Sequence, residues 1–381
     1  MTGLGCHEAL VRRGGTLQLT SVPTEAPDRN GARIQLSFVG VCGTDLQILN
    51  GSRPDTAEIL GHEGVGRVAE AGPAAAISVG EPVVFNPAAQ LSAGRILGHN
   101  TQGLFQRFIT VGARAIEEGL VIPARDCPPA VYAALVEPLA AVIYAHQLIA
   151  NGLRELRTVV VFGAGPVGLL AATYLGGLGI RVVLVHPTQT RLKMAVALEI
   201  VSPTFALTLS DDLREQIIRL NGGDRPDAAL ICTTRVGSPA ALRHAMDVVR
   251  DGGCIDLVTN YPEGAPALQG VQATSLRAVR GENVNGVPRE GRYRVADGSG
   301  RRIALTGHRG TSREHLRKAL QVLHVDSAAY ARLITHVLPL SEAGQAIQSL
   351  SESRARALGG QECIKLIIDM GLGPSDPSWR V

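Results

Sequence analysis

A run of apolar residues, mostly β-branched, Thr158-Val-Val-Val-Phe162, leads directly into Gly163-Ala164-Gly165-Pro166-Val167-Gly168. An apolar stretch to Leu178 follows, and then a second β-type run, Arg181-Val-Val-Leu-Val185. A strand with no polar alternation is buried on both faces, so the order reads as strand, tight turn, helix, strand in a parallel sheet. The glycines each have a use. Gly163 suits the tight turn, Gly165 lets backbone approach a pyrophosphate, and Gly168 lets helix and strand pack closely. Pro166 and Val167 open the helix, whose first N–H groups and dipole then face the phosphates. A G-x-G-x-x-G run in this context predicts a dinucleotide-binding unit.

The alternation continues after His186. Helices are expected over 190–198, 211–220 and 239–250, and strands over 228–232, 254–258 and 302–306, which together make a doubly wound parallel sheet. The chain before this unit reads differently. Short apolar runs separated by Gly and Pro, at 17–22, 32–39, 64–69, 82–85 and 104–111, predict a β-rich, barrel-like domain, and 128–150 turns helical. Residues 280–301 are polar and turn-rich, read as an irregular hairpin, and the end of the chain alternates helix (312–323, 341–351) with strand (334–338, 363–368).

Composition closes off other classes. A length of 381 residues allows two cores, and 45% hydrophobic content is that of a globular protein rather than a disordered one. The net charge of +3 comes from scattered basic residues, which leaves neither a nucleic-acid stripe nor a membrane-binding face. Arginine supplies nearly all of that charge; lysine occurs only at 193, 318 and 365, in the Ala- and Gly-rich style of a GC-rich bacterial genome. The first residues lack a secretory pattern, and six widely spaced cysteines (6, 42, 127, 232, 254, 363) suit reduced thiols, so a cytoplasmic protein is expected.

Upstream of the glycine turn, three stretches carry metal-ligand chemistry: Cys42, Gly61-His62-Glu63, and Val136-Glu137-Pro138. Sulfur, imidazole and carboxylate are zinc ligands, and a catalytic zinc keeps one position open. There a bound hydroxyl loses its proton more easily and a carbonyl is polarised for hydride attack, which is what a nicotinamide cofactor needs.

Cys-Gly-Thr-Asp (42–45), Gly-His-Glu-Gly-Val-Gly-Arg-Val-Ala-Glu-Ala-Gly (61–72), Val-Glu-Pro-Leu-Ala (136–140), the glycine turn and Leu-Ile-Thr-His-Val-Leu-Pro-Leu (333–340) together resemble the zinc-dependent medium-chain dehydrogenase/reductase family. The Glu-Pro pair at 137–138 is similar to its sorbitol, threonine and glucose dehydrogenase branch. The resemblance implies a GroES-like barrel catalytic domain over 1–148, completed by 309–381, and a Rossmann domain over 149–308. It implies zinc on Cys42, His62 and Glu63, with Glu137 binding directly or through water. Asp45 would orient His62, and Thr44 would pass the substrate proton towards the nicotinamide ribose. A homodimer or homotetramer is implied as well.

Three departures from the family pattern shape these expectations. The stretch 85–102 has none of the four cysteines of the family's structural zinc lobe, so one catalytic zinc and no structural zinc is expected. Gln47 stands where many relatives carry a histidine, and an amide does not shuttle protons at neutral pH, so the relay ends in water or elsewhere. His186 stands where an acidic residue would hold the adenine ribose, followed by Thr188 and Arg191. Without a carboxylate to repel a 2′-phosphate, NADP is admitted beside NAD, with the balance tilted slightly to NADP.

Polar residues expected near a cleft are Gln47, Asn86, His99, Asn100, Gln102, His308 and Arg309. They suggest a small hydroxylated substrate, a sugar, polyol or aminocyclitol, at its secondary alcohol or ketone. Two other readings stay open at this point: a zinc-free NADPH reductase of the same fold, and a non-catalytic dinucleotide-binding protein.

Overall fold

The computed structural model describes residues 5–125, 128, 130–262, 276–298, 300–353 and 356–371; Cys127 lies outside them. The chain divides into two compact units, residues 1–137 with 312–381, and residues 138–311. The division falls in the first turn of a helix, Val136–Asn151.

The first unit opens with a hairpin, β1 (Cys6–Arg13) and β2 (Thr16–Pro23), closed by the glycine pair 14–15. Strand β3 (Ala32–Gly40) follows, then helix α1 (Gly43–Leu49) and strands β4 (Glu63–Ala71), β5 (Pro82–Phe85), β6 (Phe108–Val111) and β7 (Val121–Pro123). Helices α2 (Ala113–Glu117) and α3 (Ala130–Ala133) are short, and α4 (Val136–Asn151) carries the chain into the second unit. In β3 the side chains of Ala32, Ile34 and Leu36 alternate into the core, as period-two patterning requires of a half-buried strand.

The second unit is a seven-stranded sheet. Its strands are β8 (Thr158–Phe162), β9 (Arg181–His186), β10 (Ala206–Thr208), β11 (Ala228–Ile231), β12 (Cys254–Asp256), β13 (Arg294–Gly298) and β14 (Arg301–Thr306), in the order 10-9-8-11-12-14-13. All pairs are parallel except β13 with β14. Helices α5 (Pro166–Gly177), α6 (Gln189–Ala197), α7 (Leu213–Leu220), α8 (Ser238–Val248) and α9 (Leu276–Gly281) lie between the strands in sequence. Order reverses between β8 and β11, the switch point at which a doubly wound sheet binds its ligand. The 280–301 stretch resolves into the end of α9, a turn segment and β13, whose hairpin with β14 supplies the antiparallel edge.

The chain returns to the first unit with α10 (Arg313–Val325), α11 (Ser327–Ala331), β15 (Ile334–Pro339), α12 (Leu340–Glu352), a two-residue hairpin of β16 (Ala357–Leu358) and β17 (Gln361–Glu362), and β18 (Lys365–Asp369). Strand β18 enters the middle of the first unit's sheet, which runs β15-β18-β3-β4-β5-β7 with β6 also on β3. No helix among the described residues is long and apolar enough to cross a membrane.

Candidate metal and nucleotide sites

Strand register assembles the first site. Strands β3 and β4 pair with Gly40 opposite Glu63, so the chain leaving β3 places Cys42 beside the residues that enter β4, His62 among them. Strand β18 pairs antiparallel on the other side of β3 with Ile367 opposite Gly40. The Val41 N–H donates to the Leu366 carbonyl at 2.9 Å, which extends that pairing and brings Lys365 level with Cys42. Gly40 makes room for the meeting. A β-carbon there would lie 2.7 Å from Glu63 Oε2 and 2.8 Å from Lys365 Cε.

The side-chain sulfur, nitrogen and oxygen of Cys42, His62 and Glu63 lie within 4.8 Å of one another. Zinc binds such donors at about 2.0–2.3 Å, so the spacing and the donor types suit a single ion. Asp45 organises the trio from the N-terminal turn of α1. Its Oδ2 accepts from the Cys42 N–H at 2.8 Å, its Oδ1 accepts from the Gly61 N–H at 3.1 Å, and Oδ1 sits 3.4 Å from His62 Nδ1. Burial pushes the Asp45 carboxyl upward, but the His62 imidazole, the Cys42 N–H and the more distant His99 outweigh it and hold it below the ordinary carboxylate value. Asp45, His62 and Glu63 are all buried, where each polar atom needs a hydrogen-bond partner, an opposite charge or a metal ion.

Glu137, in the first turn of α4, faces the same charges: His62, Glu63, Lys365 and Asp45 all act on its carboxyl. Burial, with Glu63 and Asp45 adding to it and His62 and Lys365 opposing, pushes Glu137 up to about 7. Its oxygen is not in the trio that converges within 4.8 Å. Lys365 is the residue that sequence reasoning missed. Its ammonium contacts Glu63 Oε2 and donates to the Val41 carbonyl at 3.1 Å, with the two side chains 1% and 2% exposed. Burial works against the charged lysine, but Glu63 and the other anionic groups prevail and raise its pKa. The signal was a lone lysine inside an apolar strand, Ile364-Lys-Leu-Ile-Ile, in a chain with three lysines.

Several polar candidates lie in the loop that precedes β6 and accept from backbone N–H groups, two within the loop and one in the segment before β4. Asn86 Oδ1 accepts from the Ala88 N–H, Asn100 Oδ1 from the Ile96 N–H, and Gln102 Oε1 from the Ile59 N–H at 2.8 Å. Thr44 is half-buried in α1, and the Gln47 carbonyl accepts from the Arg53 N–H. His99 is different: its ring packs edge-on against the His62 ring with centroids 5.1 Å apart. His308 lies in the second unit, buried against Tyr144 with its Nδ1 3.9 Å from Asp256 Oδ1, and Arg309 follows it on the chain.

The glycine turn joins β8 to α5. Gly163 has φ +118°, and a β-carbon there would lie 2.4 Å from the Cys232 carbonyl oxygen. At Gly168 a β-carbon would lie 1.8 Å from the Gly163 oxygen, whereas at Gly165 it would meet nothing within 4 Å. Gly165 is the N-cap of α5 and offers no side-chain cap; Pro166 and Val167 follow it, so the first helical N–H groups have no side-chain acceptor from the cap. This cradle fits a pyrophosphate. His186 ends β9 with its Nδ1 accepting from the Thr188 N–H at 3.0 Å, while Arg191 is buried in α6. Burial, with Arg191 adding to it, keeps the His186 pKa low against the Thr188 contact.

Residues 28–127 match the family model described as alcohol dehydrogenase GroES-like domain, and residues 166–295 match the model described as zinc-binding dehydrogenase. The chain belongs to the zinc-dependent medium-chain dehydrogenase family. Its fold is that family's GroES-like domain with a Rossmann α/β domain. The dehydrogenase is 31% identical over 189 residues to 2-dehydro-3-deoxy-L-galactonate 5-dehydrogenase of Pseudoalteromonas atlantica, a match that covers 45% of this chain and 53% of that protein. It is 23% identical to sorbitol dehydrogenase of Halalkalibacterium halodurans over 90% of this chain and 94% of that one. A solved zinc-binding dehydrogenase of Sinorhizobium meliloti 1021, bound to NADP, superposes with a TM-score of 0.69 at 21% identity, covering 96% of this chain and 99% of that chain. The dehydrogenase is thus an NAD(P)-dependent oxidoreductase acting on CH–OH groups, and zinc is the metal its family implies.

Proposed function

We propose that the dehydrogenase transfers hydride between a secondary alcohol or ketone of a polyol, sugar or aminocyclitol and NAD(P), with NADP slightly favoured, at one zinc ion without a second, structural one. The observation that carries this is the convergence of Cys42, His62 and Glu63 ligand atoms within 4.8 Å. These three would hold the ion, with Glu137 adding its carboxylate directly or through water. Zinc bound there acidifies a hydroxyl and polarises a carbonyl. The chain's own groups do the rest. Asp45 lies against His62 Nδ1 and so leaves the other ring nitrogen for the metal, the usual part of a carboxylate behind a ligand imidazole. The Thr44 hydroxyl would carry the substrate proton towards the nicotinamide ribose. Gln47 cannot continue that relay as an acid or base.

The pyrophosphate would lie over Gly163, Gly165 and Gly168 at the head of α5, where Gly165 leaves open space. His186, Thr188 and Arg191 would meet the adenine ribose, and none of them is an anion that would repel a 2′-phosphate. A homodimer or homotetramer is the expected assembly. Elemental analysis of the protein purified without added metal, beside a Cys42→Ala variant, tests the reading. The expected result is one zinc per chain, lost in the variant, together with turnover of polyols and a higher kcat/KM with NADP than with NAD. A parent that carries no zinc even after incubation with it overturns the ligand assignment.

A further inference from the structure

We propose that His99, braced by Asp55 and Arg53, orients a hydroxyl group of a neutral polyol beside the metal-ligand cluster, which makes it a substrate-class determinant; this rests on the dehydrogenase reading above. The ring sits against His62, one side chain away from the centre where the alcohol would react. Its Nδ1 lies 3.4 Å from Asp55 Oδ1 and 3.4 Å from Arg53 Nη2. Asp55 is itself fixed: Arg53 donates to it through Nε at 2.7 Å and Nη2 at 3.3 Å, and Arg12 donates to its backbone carbonyl at 2.9 Å. The backbone is tied as well, with the Ala57 N–H donating to the His99 carbonyl at 2.8 Å. The imidazole is therefore held in place, and its Nε2 makes no hydrogen bond among the described residues.

The charges around the ring decide which oxygen it takes. Arg53 is engaged on both oxygens of Asp55, so the bracing pair is neutral as a unit and offers no uncommitted cation. A hydroxyl both donates and accepts, so it satisfies Nε2 in either tautomer of the ring. A carboxylate only accepts, so it is satisfied only when Nε2 carries the proton, and it would lie close to the Asp55 carboxylate, whose arginine partner is already engaged. The arrangement therefore selects CH2OH or CHOH neighbours of the reacting carbon over a carboxylate.

Galactitol and L-galactonate test this directly, because they share a carbon skeleton and differ in one terminus, CH2OH against carboxylate. Calorimetric binding of each to the zinc-loaded parent, His99→Ala and His99→Gln proteins is read beside zinc content and the KM and kcat for galactitol oxidation. The parent is expected to bind galactitol more tightly than L-galactonate. His99→Ala should weaken galactitol about tenfold, seen in KM rather than kcat, and leave L-galactonate and zinc content unchanged. His99→Gln, which keeps a donor and an acceptor, should restore most of the loss. Tighter binding of L-galactonate by the parent, no binding of galactitol, or an equal loss for both ligands in His99→Ala overturns the proposal. In each of those cases a parent that holds zinc and oxidises other alcohols leaves the dehydrogenase reading standing. A parent with no zinc and no alcohol turnover defeats that reading, and this one with it.

Discussion

Replacing Lys365 by methionine asks what holds Glu63 in its buried place. The methionine side chain keeps nearly the same length and volume but has no charge and no donor. In the metal-free protein the change leaves the Glu63 carboxylate, 2% exposed, without its ammonium partner. Removing one member of a buried ion pair destabilises a protein by about 3–5 kcal/mol, because the remaining charge stays desolvated. The lost hydrogen bond to the Val41 carbonyl is included in that figure and amounts to about 1 kcal/mol of it. If zinc sits on the proposed ligands, a cation beside Glu63 would supply the missing countercharge, so in the zinc-loaded protein the loss should fall to about 1–2 kcal/mol, mostly the Val41 contact. The thermodynamic cycle then requires zinc to bind the variant about 2–3 kcal/mol more tightly, roughly 30- to 150-fold. Urea unfolding of parent and variant at pH 8, metal-free and zinc-loaded, together with zinc affinity by chelator competition, measures all four corners. A Glu63→Gln/Lys365→Met double variant, which removes both charges, should recover most of the metal-free loss. A metal-free loss below about 1 kcal/mol, or equal losses in both states, would refute the reasoning.

The glycine turn separates a packing role from a binding role. Gly168→Ala forces a β-carbon to 1.8 Å from the Gly163 oxygen and should destabilise the second unit by about 3 kcal/mol, measured by thermal unfolding. Gly165→Ala puts its methyl into open space and should leave thermal stability within about 1 kcal/mol while weakening NADPH binding, followed by cofactor fluorescence. Asp227 accepts from the Arg157 and Thr158 N–H groups at 2.8 and 2.9 Å and from Arg250 Nε at 2.9 Å. Burial pushes its pKa up, but Arg250 and the two N–H groups prevail and hold it below 3.8. Its contribution to stability is then present above the unfolded-state value and lost as pH falls through the folded one. Asp227→Asn should lower stability at neutral pH and flatten its decline below about pH 5, read from unfolding midpoints across that range.

The second unit was the more legible in the sequence, because its strands are buried on both faces and so read as continuous apolar runs at β8 and β9, punctuated by glycines that sterics demand. The strands of the first unit were harder to bound. Strand β1 carries Cys6, His7, Glu8, Arg12 and Arg13, and nothing in that string alternates cleanly; it is a strand because β2 folds back on it in full register. The candidate metal-ligand trio was readable as residue types, since sulfur, imidazole and carboxylate suggest a metal wherever they meet. Their meeting was not readable, because it depends on the pairing of Gly40 with Glu63 across the 22 residues that separate them. Lys365 depends on a longer connection still. It reaches Glu63 because β18, arriving after the whole second unit, pairs with β3 at Ile367 and Gly40. A charged residue in an apolar strand marks a buried partner of opposite sign, since burial without one is too costly to persist, and the partner's identity follows only from which strand lies alongside. The same reasoning applies to His99. Its residue type suggested chemistry, but so did those of Asn86, Asn100 and Gln102, and only the structure separates a ring seated against His62 from three amides whose oxygens accept from the Ala88, Ile96 and Ile59 N–H groups.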